Sequence, residues 1–398
     1  MATRNIVPRG TGEGGIGTAA KRWAVGWINA LIVTTINALT LAAAAVGFTI
    51  TGGTAAKTLT VDFSASVTTM LDVNFILDKT ARLIDIHATK TSVTVNPGAY
   101  TIPIKVGAYT HVMTAAVEVT AAMLDTGAIA AGKDYSVFAC TDGTTLSFQV
   151  SLASAYPAGF DAAHSLRIGG YHTLCVAVGV IAGHTLTGYA EKDILPQSIW
   201  DLRHRANNKN MSNAGLVYDD SNPGWEVIYL GSDDGAGGIQ SVYGATILDT
   251  INWMDYNDHL AKVGMVMEDD GEFQSLATGS NEEINIAGSA DPVTTGGHSD
   301  TAGRRMISNI GCEDCAGALN QWLRDTSANH DGAVAAGWLD LPGDKGSFYR
   351  PVDTDEIKLS AGGYWSHAAA CGSRCRYAHG GRVYTYTNIG GRGRSRKL

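Results

Sequence analysis

Alternating apolar and polar residues recur along this chain and predict β-strands over much of its length. Leu59, Val61 and Phe63 alternate with polar residues, which places them on one face of a half-buried strand. Further along, two alternating runs flank Asp142-Gly143. Because Asp-Gly readily adopts the backbone conformation of a tight turn, the two runs predict a β-hairpin.

Two short helices are predicted in the second half of the chain. Apolar residues recur at helical spacing over residues 253–263, which gives one apolar face to an amphipathic helix. Shortly afterwards, Asp269 is followed three residues later by Glu272, and this spacing is typical of a capping box at a helix N-terminus. Two helices among many strands predict a mostly β chain with an α+β carboxy-terminal part.

These patterns predict three regions. Residues 1–80 are expected to form an intertwined β module, residues 81–197 an all-β domain, and residues 198–398 the α+β domain. Residues 23–50 carry no charge and are long enough for a membrane helix. Polar Asn and Thr residues are dispersed through them, so we expect no membrane insertion and interpret the run as strands buried between the subunits of an oligomer.

Composition narrows the class of protein. The chain has 398 residues and 45% hydrophobic content, enough for two or three domains with cores. Its 48 glycines and 17% charged residues are typical of β-rich architecture with many turns. A net charge of -9 argues against nucleic-acid binding. The basic end of the chain is the exception, and we expect Arg392, Arg394, Arg396 and Lys397 to be a solvated terminus.

The motifs of catalysis and metal binding are weak. Arg9 to Gly15 contain a G-x-G-x-x-G spacing, but no strand-like run precedes it, as a phosphate-binding loop would require. Glu268-Asp269-Asp270 and Asn281-Glu282-Glu283 could ligate calcium, although helix capping for the first and a solvated loop for the second are favoured. No nucleophile elbow and no H-E-x-x-H motif occurs.

The cysteines leave several interpretations open. A zinc site, a disulfide within the first C-x-x-C pair and free thiols are all possible, and free thiols are favoured. We therefore expect no cofactor and no metal. The six cysteines are Cys140, Cys175, Cys312, Cys315, Cys371 and Cys375.

Residues 362–393 differ in composition from the rest of the chain. They combine Tyr, His and Arg with Gly, Ala, Ser and Thr and contain few aliphatic residues. Tyr377 and His379 lie two residues apart, as do Tyr384 and Tyr386, so each pair shares a face if the backbone is extended. Tyrosine gives binding loops a large contact area at low entropic cost. The alternative is that these rings pack on the body of the domain.

This stretch resembles the variable region of proteins diversified by retroelements. In that family, template adenines are mutated, and asparagine codons can become Tyr, His, Ala, Arg, Thr, Ser, Val, Cys or Gly, but not Lys, Glu, Gln, Met or Trp. Between Tyr364 and Asn388, only Trp365 belongs to the excluded set. The positions that carry the resemblance are Gly362-Gly363, Trp365-Ser366, Gly372-Ser373-Arg374, Asn388-Ile389-Gly390 and Arg392-Gly393.

The resemblance implies a fold and a set of binding residues. It implies a C-type-lectin-like fold for the carboxy-terminal domain and a β-sandwich for residues 81–197. The implied fixed frame includes Trp365, Gly372, Arg374, Asn388 and Gly390. The implied receptor-binding residues are Tyr364, Ser366, His367, Ala368, Ala370, Arg376, Tyr377, His379, Tyr384 and Tyr386.

The resemblance also implies a function. The opening residues resemble those of phage tail-fibre proteins, so we expect a homotrimeric virion protein at a tail fibre or tail tip. Its implied partners are a host surface receptor, protein or glycan, and other tail or baseplate proteins through the amino-terminal module. The alternatives are a cell-surface adhesin with the same variable domain and an oxidase. Formylglycine-generating enzymes share the lectin-like fold, but cysteines within a variable stretch cannot be kept fixed, so we expect no enzyme.

Overall fold

The computed structural model divides into two compact units, within Met1–Thr68 and Thr69–Leu398. In the first unit, strand β1 (Gly47–Gly52) pairs antiparallel with β2 (Lys57–Asp62), which confirms the predicted strand at Leu59. The Gly-rich opening and most of the uncharged run lie outside the described residues. The structure describes residues 47–52 and 57–62 by their backbone, and residues 82–96, 102–207, 214–327, 337–340, 343–350 and 357–396.

The first part of the second unit is all β. Its sheets share one apolar core, which includes Ile84, Val95, Val137 and Val150. One sheet has the order β3-β4-β7, a second the order β11-β10-β8-β9, and β5 pairs with β6. The strands are β3 (Ile84–Ile86), β4 (Val93–Val95), β5 (Ile102–Val106), β6 (Tyr109–Met113), β7 (Val117–Val119), β8 (Asp134–Thr141), β9 (Leu146–Ser151), β10 (Ser165–His172) and β11 (Trp200–Asp201).

The predicted hairpin is confirmed as β8 and β9, which pair antiparallel from Thr141 and Leu146 onward. Its loop spans four residues instead of two. The Asp142 carboxylate accepts hydrogen bonds from the backbone N–H groups of Thr144 and Thr145 at 2.8 and 2.7 Å. An aspartate that bonds to the backbone ahead of it favours a turn, so Asp142 itself defines this loop.

The carboxy-terminal part combines two helices with short strands. A six-stranded sheet has the order β17-β18-β20-β19-β16-β21, and a smaller one the order β12-β13-β22. The elements are β12 (Leu216–Asp219), β13 (Gly224–Val227), β14 (Ser232–Asp233), β15 (Ile239–Gln240), α1 (Trp253–Lys262), α2 (Asp270–Leu276), β16 (Asn320–Ser327), β17 (Gly337–Asp340), β18 (Ser347–Arg350), β19 (Ile357–Gly362), β20 (Gly372–Gly380), β21 (Ile389–Gly390) and β22 (Arg394–Ser395). Across the second unit as a whole, single 3-10 turns occur at Ala121–Met123 and Pro196–Ser198 in the all-β part and at Ala287–Ser289 and Ala368–Ala370 in the carboxy-terminal part.

Both predicted helices are confirmed. Helix α1 buries Tyr256 and Leu260 on its apolar face. At the start of α2, the Asp269 carboxylate accepts a hydrogen bond from the N–H of Glu272, and the Glu272 carboxylate accepts one from the N–H of Asp269, both at 2.8 Å. This reciprocal pair is the capping box that the sequence predicted. Among the described residues, no helix is long and apolar enough to cross a membrane.

The expected solvated terminus is wrong for Arg392, which is completely buried. Its Nε donates to Gln321 Oε1 at 2.6 Å, and its Nη atoms donate to the carbonyl oxygens of Val227 and Glu313 at 3.1 and 2.7 Å. A buried charge is tolerated when its donors are satisfied in this way. Residues 391–395 are therefore part of the core, whereas Arg396 is exposed.

Arg394 is buried as well, beside an unusual concentration of carboxylates. Its Nη1 lies 3.3 Å from Glu226 and 3.1 Å from Glu272. Glu226 and Glu268 are both buried, and burial raises the pKa of Glu268 to about 7. Burial and the neighbouring Glu268 carboxylate also raise the pKa of Glu226. Protons held by these carboxylates thus stabilise the fold.

We expect Glu268 to make stability fall as pH rises. Its folded pKa of about 7 lies above the value of about 4.3 of an unfolded glutamate, so the folded state binds more protons between these values. The unfolding free energy should therefore decrease from about pH 4.5 to pH 7, by on the order of 3 kcal/mol from this group. Urea denaturation of the protein and of Glu268→Gln at pH 5, 6, 7 and 8 measures the difference.

The control variant is Glu283→Gln, which removes an exposed carboxylate. It should not reproduce the effect of Glu268→Gln, because Glu283 is exposed and Glu268 is buried. Parallel stability curves for the protein and Glu268→Gln would contradict the assignment.

Candidate functional site

The stretch from 362 to 393 begins with two positions that only glycine can occupy. Gly362 and Gly363 have φ values of 87° and 78°, in the left-handed region that side chains disfavour. A Cβ on Gly362 would lie 2.3 Å from the carbonyl oxygen of Cys315. The turn out of β19 therefore requires this pair.

Trp365 fixes the loop that follows. Its backbone N–H donates to the Ala318 carbonyl at 3.0 Å, and its backbone carbonyl accepts a hydrogen bond from Asn285 Nδ2. The indole packs against a cluster of buried apolar residues that includes Leu230 and Leu319. The predicted frame role of Trp365 agrees with this anchoring.

Glu282 holds the start of β20. Its carboxylate accepts hydrogen bonds from the N–H and the Oγ of Ser373, at 2.9 and 2.7 Å, and lies 3.3 Å from Lys345 Nζ. A Cβ on Gly372 would lie 2.5 Å from the same carboxylate. The expectation of a solvated loop here is therefore wrong for Glu282, and also for Asn281, which is buried and donates to the Ile284 carbonyl.

The far end of the stretch returns to the sheet. The Asn388 carbonyl accepts a hydrogen bond from the N–H of Asn320 at 3.0 Å, and β21 pairs parallel with β16, with Gly390 opposite Gln321. Asn388 and Gly390 are buried. Both ends of the stretch are thus held by backbone and buried polar contacts.

Eight aromatic rings from this stretch and from the β17–β18 hairpin form one connected cluster, which we call the aromatic face, and the frame residue Trp365 adjoins it at Tyr364. Each ring lies near at least one other, with centroid separations from 3.9 to 6.2 Å. Most pairs are tilted or edge-to-face, which is a favourable geometry for aromatic rings. The aromatic face consists of Trp338, Tyr349, Tyr364, His367, Tyr377, His379, Tyr384 and Tyr386.

Three of these rings lie in a row across neighbouring strands. Trp338 of β17 is directly opposite Tyr349 of β18, and Tyr349 is directly opposite Tyr377 of β20. Their centroids are 5.1 and 5.0 Å apart. Since opposite residues in adjacent strands project from the same side of a sheet, the three rings form one aromatic row.

Tyr384 and Tyr386 extend the face beyond the strand. Their rings are stacked, with centroids 6.2 Å apart and planes 9° apart, and Tyr384 lies 5.9 Å from His379. Tyr386 is 55% exposed. The two rings are neighbours, although residues 384–386 lie outside any strand, between turns at 382–383 and 387–388.

Three small predicted residues border the aromatic face. Ser366 and Ala368 are exposed and Ala370 is partly exposed. They lie in and just before the 3-10 turn Ala368–Ala370, beside Tyr364 and His367. Small side chains here leave the neighbouring rings accessible from solvent.

Two groups of the aromatic face, Tyr377 and His367, have pKa values that burial moves away from neutral pH. Burial, and then the neighbouring tyrosines, raise the pKa of Tyr377 to about 12. Burial lowers the pKa of His367 to about 4, and its Nδ1 has no hydrogen-bond partner among the described residues. The face therefore offers apolar ring surface and hydroxyl or imidazole hydrogen bonds, without ionic contacts from these groups.

Arg376 does not lie where the resemblance implied. It is 5% exposed, pairs with the Asp270 carboxylate, and donates from Nη1 to the Cys375 carbonyl at 2.8 Å. Its guanidinium also lies 5.2 Å from the Phe273 ring centroid. The side chain attaches β20 to α2, so in this structure it is a frame residue and not a contact residue.

Arg374 shows the opposite difference, since it was assigned to the frame but is exposed. The physical reason is a bulge. Ala361 is opposite Arg376 while Gly362 is opposite Gly372, so β20 carries three additional residues at this point. A bulge changes which side chains point outward, and simple alternation fails here.

Trp338 and Tyr349 were not among the residues predicted from the sequence. They come from the β17–β18 hairpin, outside the stretch that carries the resemblance. Strand β18 pairs parallel with β20, and this long-range pairing brings the two rings to the aromatic face. The available signal was the aromatic residues of two short strands, β17 and β18, which the local pattern alone does not connect to a site.

The six cysteines are free and buried. Burial raises the pKa of Cys140 and of Cys375 to about 12. A buried thiol that stays protonated is a poor nucleophile. Among the residues that the structure describes, no three His, Cys, Asp or Glu side chains converge on a potential metal site.

Sequence comparison agrees with this architecture. Residues 85–201 match the family described as the Mtd second domain. The chain is also 26% identical, over 334 residues, to the tail fiber receptor-binding protein of Bordetella phage BPP-1, covering 77% of this chain and 83% of that protein. The relationship inferred from residues 362–393 is thereby confirmed.

Structure comparison gives the same result for the fold. The I1 and P3c variants of the Major Tropism Determinant superpose with a TM-score of 0.64 each, at 22% and 23% sequence identity. Each comparison covers 81% of this chain and 85% of the other. The predicted fold, mostly β with a C-type-lectin-like domain, is confirmed, whereas the predicted domain boundaries stay predictions.

We expect Arg376→Ala to destabilise the protein and Arg374→Ala to leave it nearly unchanged. Removing Arg376 leaves the Cys375 carbonyl without that donor and Asp270 without its partner, which should cost about 2 kcal/mol because Asp270 is partly exposed. Removing an exposed arginine usually changes stability by less than about 0.5 kcal/mol. Urea denaturation measures the unfolding free energy of both variants. Equal losses for Arg376→Ala and Arg374→Ala would contradict the assignment of Arg376 to the frame and of Arg374 to the exposed surface.

Proposed function

We propose that this chain is a phage receptor-binding protein, located at a tail fibre or tail tip, that attaches the virion to a host surface molecule through the aromatic face. The observation that carries the proposal is the connected cluster of partly exposed aromatic rings held on a buried frame. The name of the Bordetella phage relative, a tail fiber receptor-binding protein, supports the same function.

Binding of this kind requires no catalysis. Tyrosine and tryptophan provide large, nearly rigid contact surfaces and lose little entropy on binding. They are also the residues on which interface affinity often depends. The proposed contact residues are Tyr364, Ser366, His367, Ala368, Ala370, Tyr377, His379, Tyr384 and Tyr386 of the predicted set, together with Trp338 and Tyr349.

The proposal includes retroelement diversification of residues 362–393. Side chains at the face can change without unfolding the domain, because the ends of the stretch are fixed by glycines and by buried contacts of Trp365 and Arg392. The residue types between Tyr364 and Asn388 are those that mutation of adenines in asparagine codons produces, apart from Trp365 in the frame. A fixed scaffold and a replaceable face are what such mutagenesis requires.

The proposal also includes a homotrimer attached to other tail or baseplate proteins through residues 1–80. Several copies of a weak face on one particle would bind cooperatively. Linked sites can raise the apparent affinity by about 10² to 10⁴. Modest affinity at each aromatic face is therefore sufficient for stable attachment.

We expect the double variant Tyr384→Ala, Tyr386→Ala to reduce attachment to host cells at least about tenfold, because hot-spot tyrosines contribute about 2 kcal/mol or more in many interfaces. Thermal unfolding should change little, since both rings are partly or well exposed. Binding of the purified protein to cells of the host strain, followed by flow cytometry, measures the loss. The control is Tyr156→Ala, which removes a ring that is 48% exposed and lies outside the face. Undiminished binding of the double variant would refute the role of the face.

We expect the phage genome to contain a second copy of the segment encoding residues 362–393, near a reverse-transcriptase gene. The two copies should differ only where the template has adenine. Sequencing of the flanking DNA provides the measurement. Without such a copy, or with differences scattered over all four bases, diversification by a retroelement would be excluded while receptor binding could still hold.

A further inference from the structure

The two edges of the six-stranded sheet differ in exposure. At one edge, β21 is buried, with Ile389 2% exposed. At the other edge, β17 is open to solvent, with Trp338 37% and Leu339 44% exposed. Because successive side chains of a strand point to opposite faces, each face of this edge carries one exposed apolar side chain.

The backbone of β17 has an unpaired side. Its four residues pair with β18 in regular antiparallel register, Gly337 opposite Arg350 through Asp340 opposite Ser347. Among the described residues, no other strand or backbone group bonds to β17. The outward N–H and C=O groups of an edge strand can pair with an additional chain.

Strand β17 has two of the features that hinder such pairing, its four-residue length and Asp340, but it has neither lysine nor proline and no bulge. Proteins protect exposed edges with lysine, proline or a bulge, and the sequence Gly-Trp-Leu-Asp contains none of them. The one charged residue, Asp340, accepts a hydrogen bond from Ser347 Oγ at 2.9 Å within the hairpin. Strand β17 is short, so the open edge is limited to about four residues, or roughly 13 Å.

The aromatic row ends at this same edge. Tyr377, Tyr349 and Trp338 occupy successive strands, so the next strand outward would place a residue opposite Trp338. Opposite side chains in adjacent strands are about 5 Å apart, close to the spacing of the row itself. An added strand would thus continue the row by one ring.

We propose that the edge of β17 is a strand-addition site, at which an extended segment of a host surface protein pairs with Gly337–Asp340 and places an aromatic or large apolar side chain against Trp338. The proposal rests on the proposed function and makes its receptor a polypeptide. Continuity supports this occupant, because Trp338 belongs both to the edge and to the aromatic face. In strand addition, backbone hydrogen bonds give affinity and side-chain contacts give specificity.

This arrangement separates a constant contact from a variable one. Strand β17 lies outside residues 362–393, so its backbone would stay the same while the rings of the stretch change. Backbone pairing depends little on the sequence of the partner. New variants of the face would therefore retain a basal affinity for extended segments, and the variable rings would select among them.

The test uses the full-length chain to select binders from a display library of random linear seven-residue peptides. A selected peptide is synthesised with a single N-methyl group at each successive backbone nitrogen, and its binding is measured by fluorescence anisotropy. We expect at least tenfold weakening at alternate positions only, because every second N–H of an edge-paired strand bonds to its neighbour. Trp338→Ala should weaken the unmodified peptide at least tenfold, whereas Tyr156→Ala should not.

Hydrogen exchange of the same complex locates the peptide. Bound peptide should slow exchange of the amides in Gly337–Asp340. Failure to select any linear peptide, N-methyl effects without a period of two, or protection confined to other segments would each overturn the proposal. Protection of β17 that depends on protein concentration without peptide would assign the edge to a second copy of the chain, and would also overturn it.

The outcome is separable from that of the proposed function. One outcome is that the Tyr384 and Tyr386 double variant loses attachment while peptides do not protect β17 from exchange. That result would support receptor binding by the aromatic face and refute strand addition. Attachment that is inhibited by a purified host glycan, and not by selected peptides, would likewise refute strand addition and support receptor binding.

Discussion

The buried guanidinium of Arg392 is the interaction on which the binding region depends. Its hydrogen bonds reach Gln321 on β16, the Val227 carbonyl on β13 and the Glu313 carbonyl. Because these partners belong to separate parts of the domain, the single side chain ties the end of the chain to both of its larger sheets. A buried cation without its acceptors would be strongly destabilising, so the path of the chain after residue 388 is tightly constrained.

This constraint explains how a segment can tolerate change in its middle. The stretch enters through Gly362 and Gly363, is anchored by Trp365, and returns through Asn388 and Arg392. Arg376 adds an internal attachment to α2 by pairing with Asp270. The stability of the segment therefore resides mainly in residues that point inward, while the aromatic face contributes contact surface to solvent.

The chemistry of the face follows from its aromatic rings and their polar groups. The pKa of Tyr377 is raised and that of His367 is lowered, so neither group is charged near pH 7. A partner would meet ring surface, hydroxyl groups and, at β17, an open strand edge. Such a surface favours partners that combine apolar side chains with unpaired backbone groups, and a host protein with an exposed extended segment has both.

Local signals in the sequence determined several elements correctly. The loop at Asp142 and the capping box of Asp269 with Glu272 form between residues close in the chain, so short-range chemistry is sufficient to predict them. Most predicted contact residues also lie on one face, because strand alternation places Tyr377 and His379 together. Residue types alone led to the prediction that this stretch is a binding segment.

Tertiary structure decided what depends on long-range pairing. A bulge against β19 exchanged the roles of Arg374 and Arg376, and parallel pairing of β18 with β20 brought Trp338 and Tyr349 into the site. Arg392 looked like part of a solvated tail because its acceptors are distant in sequence. Each of these outcomes is set by the partner that a residue meets in the folded chain, and neither composition nor periodicity specifies that partner.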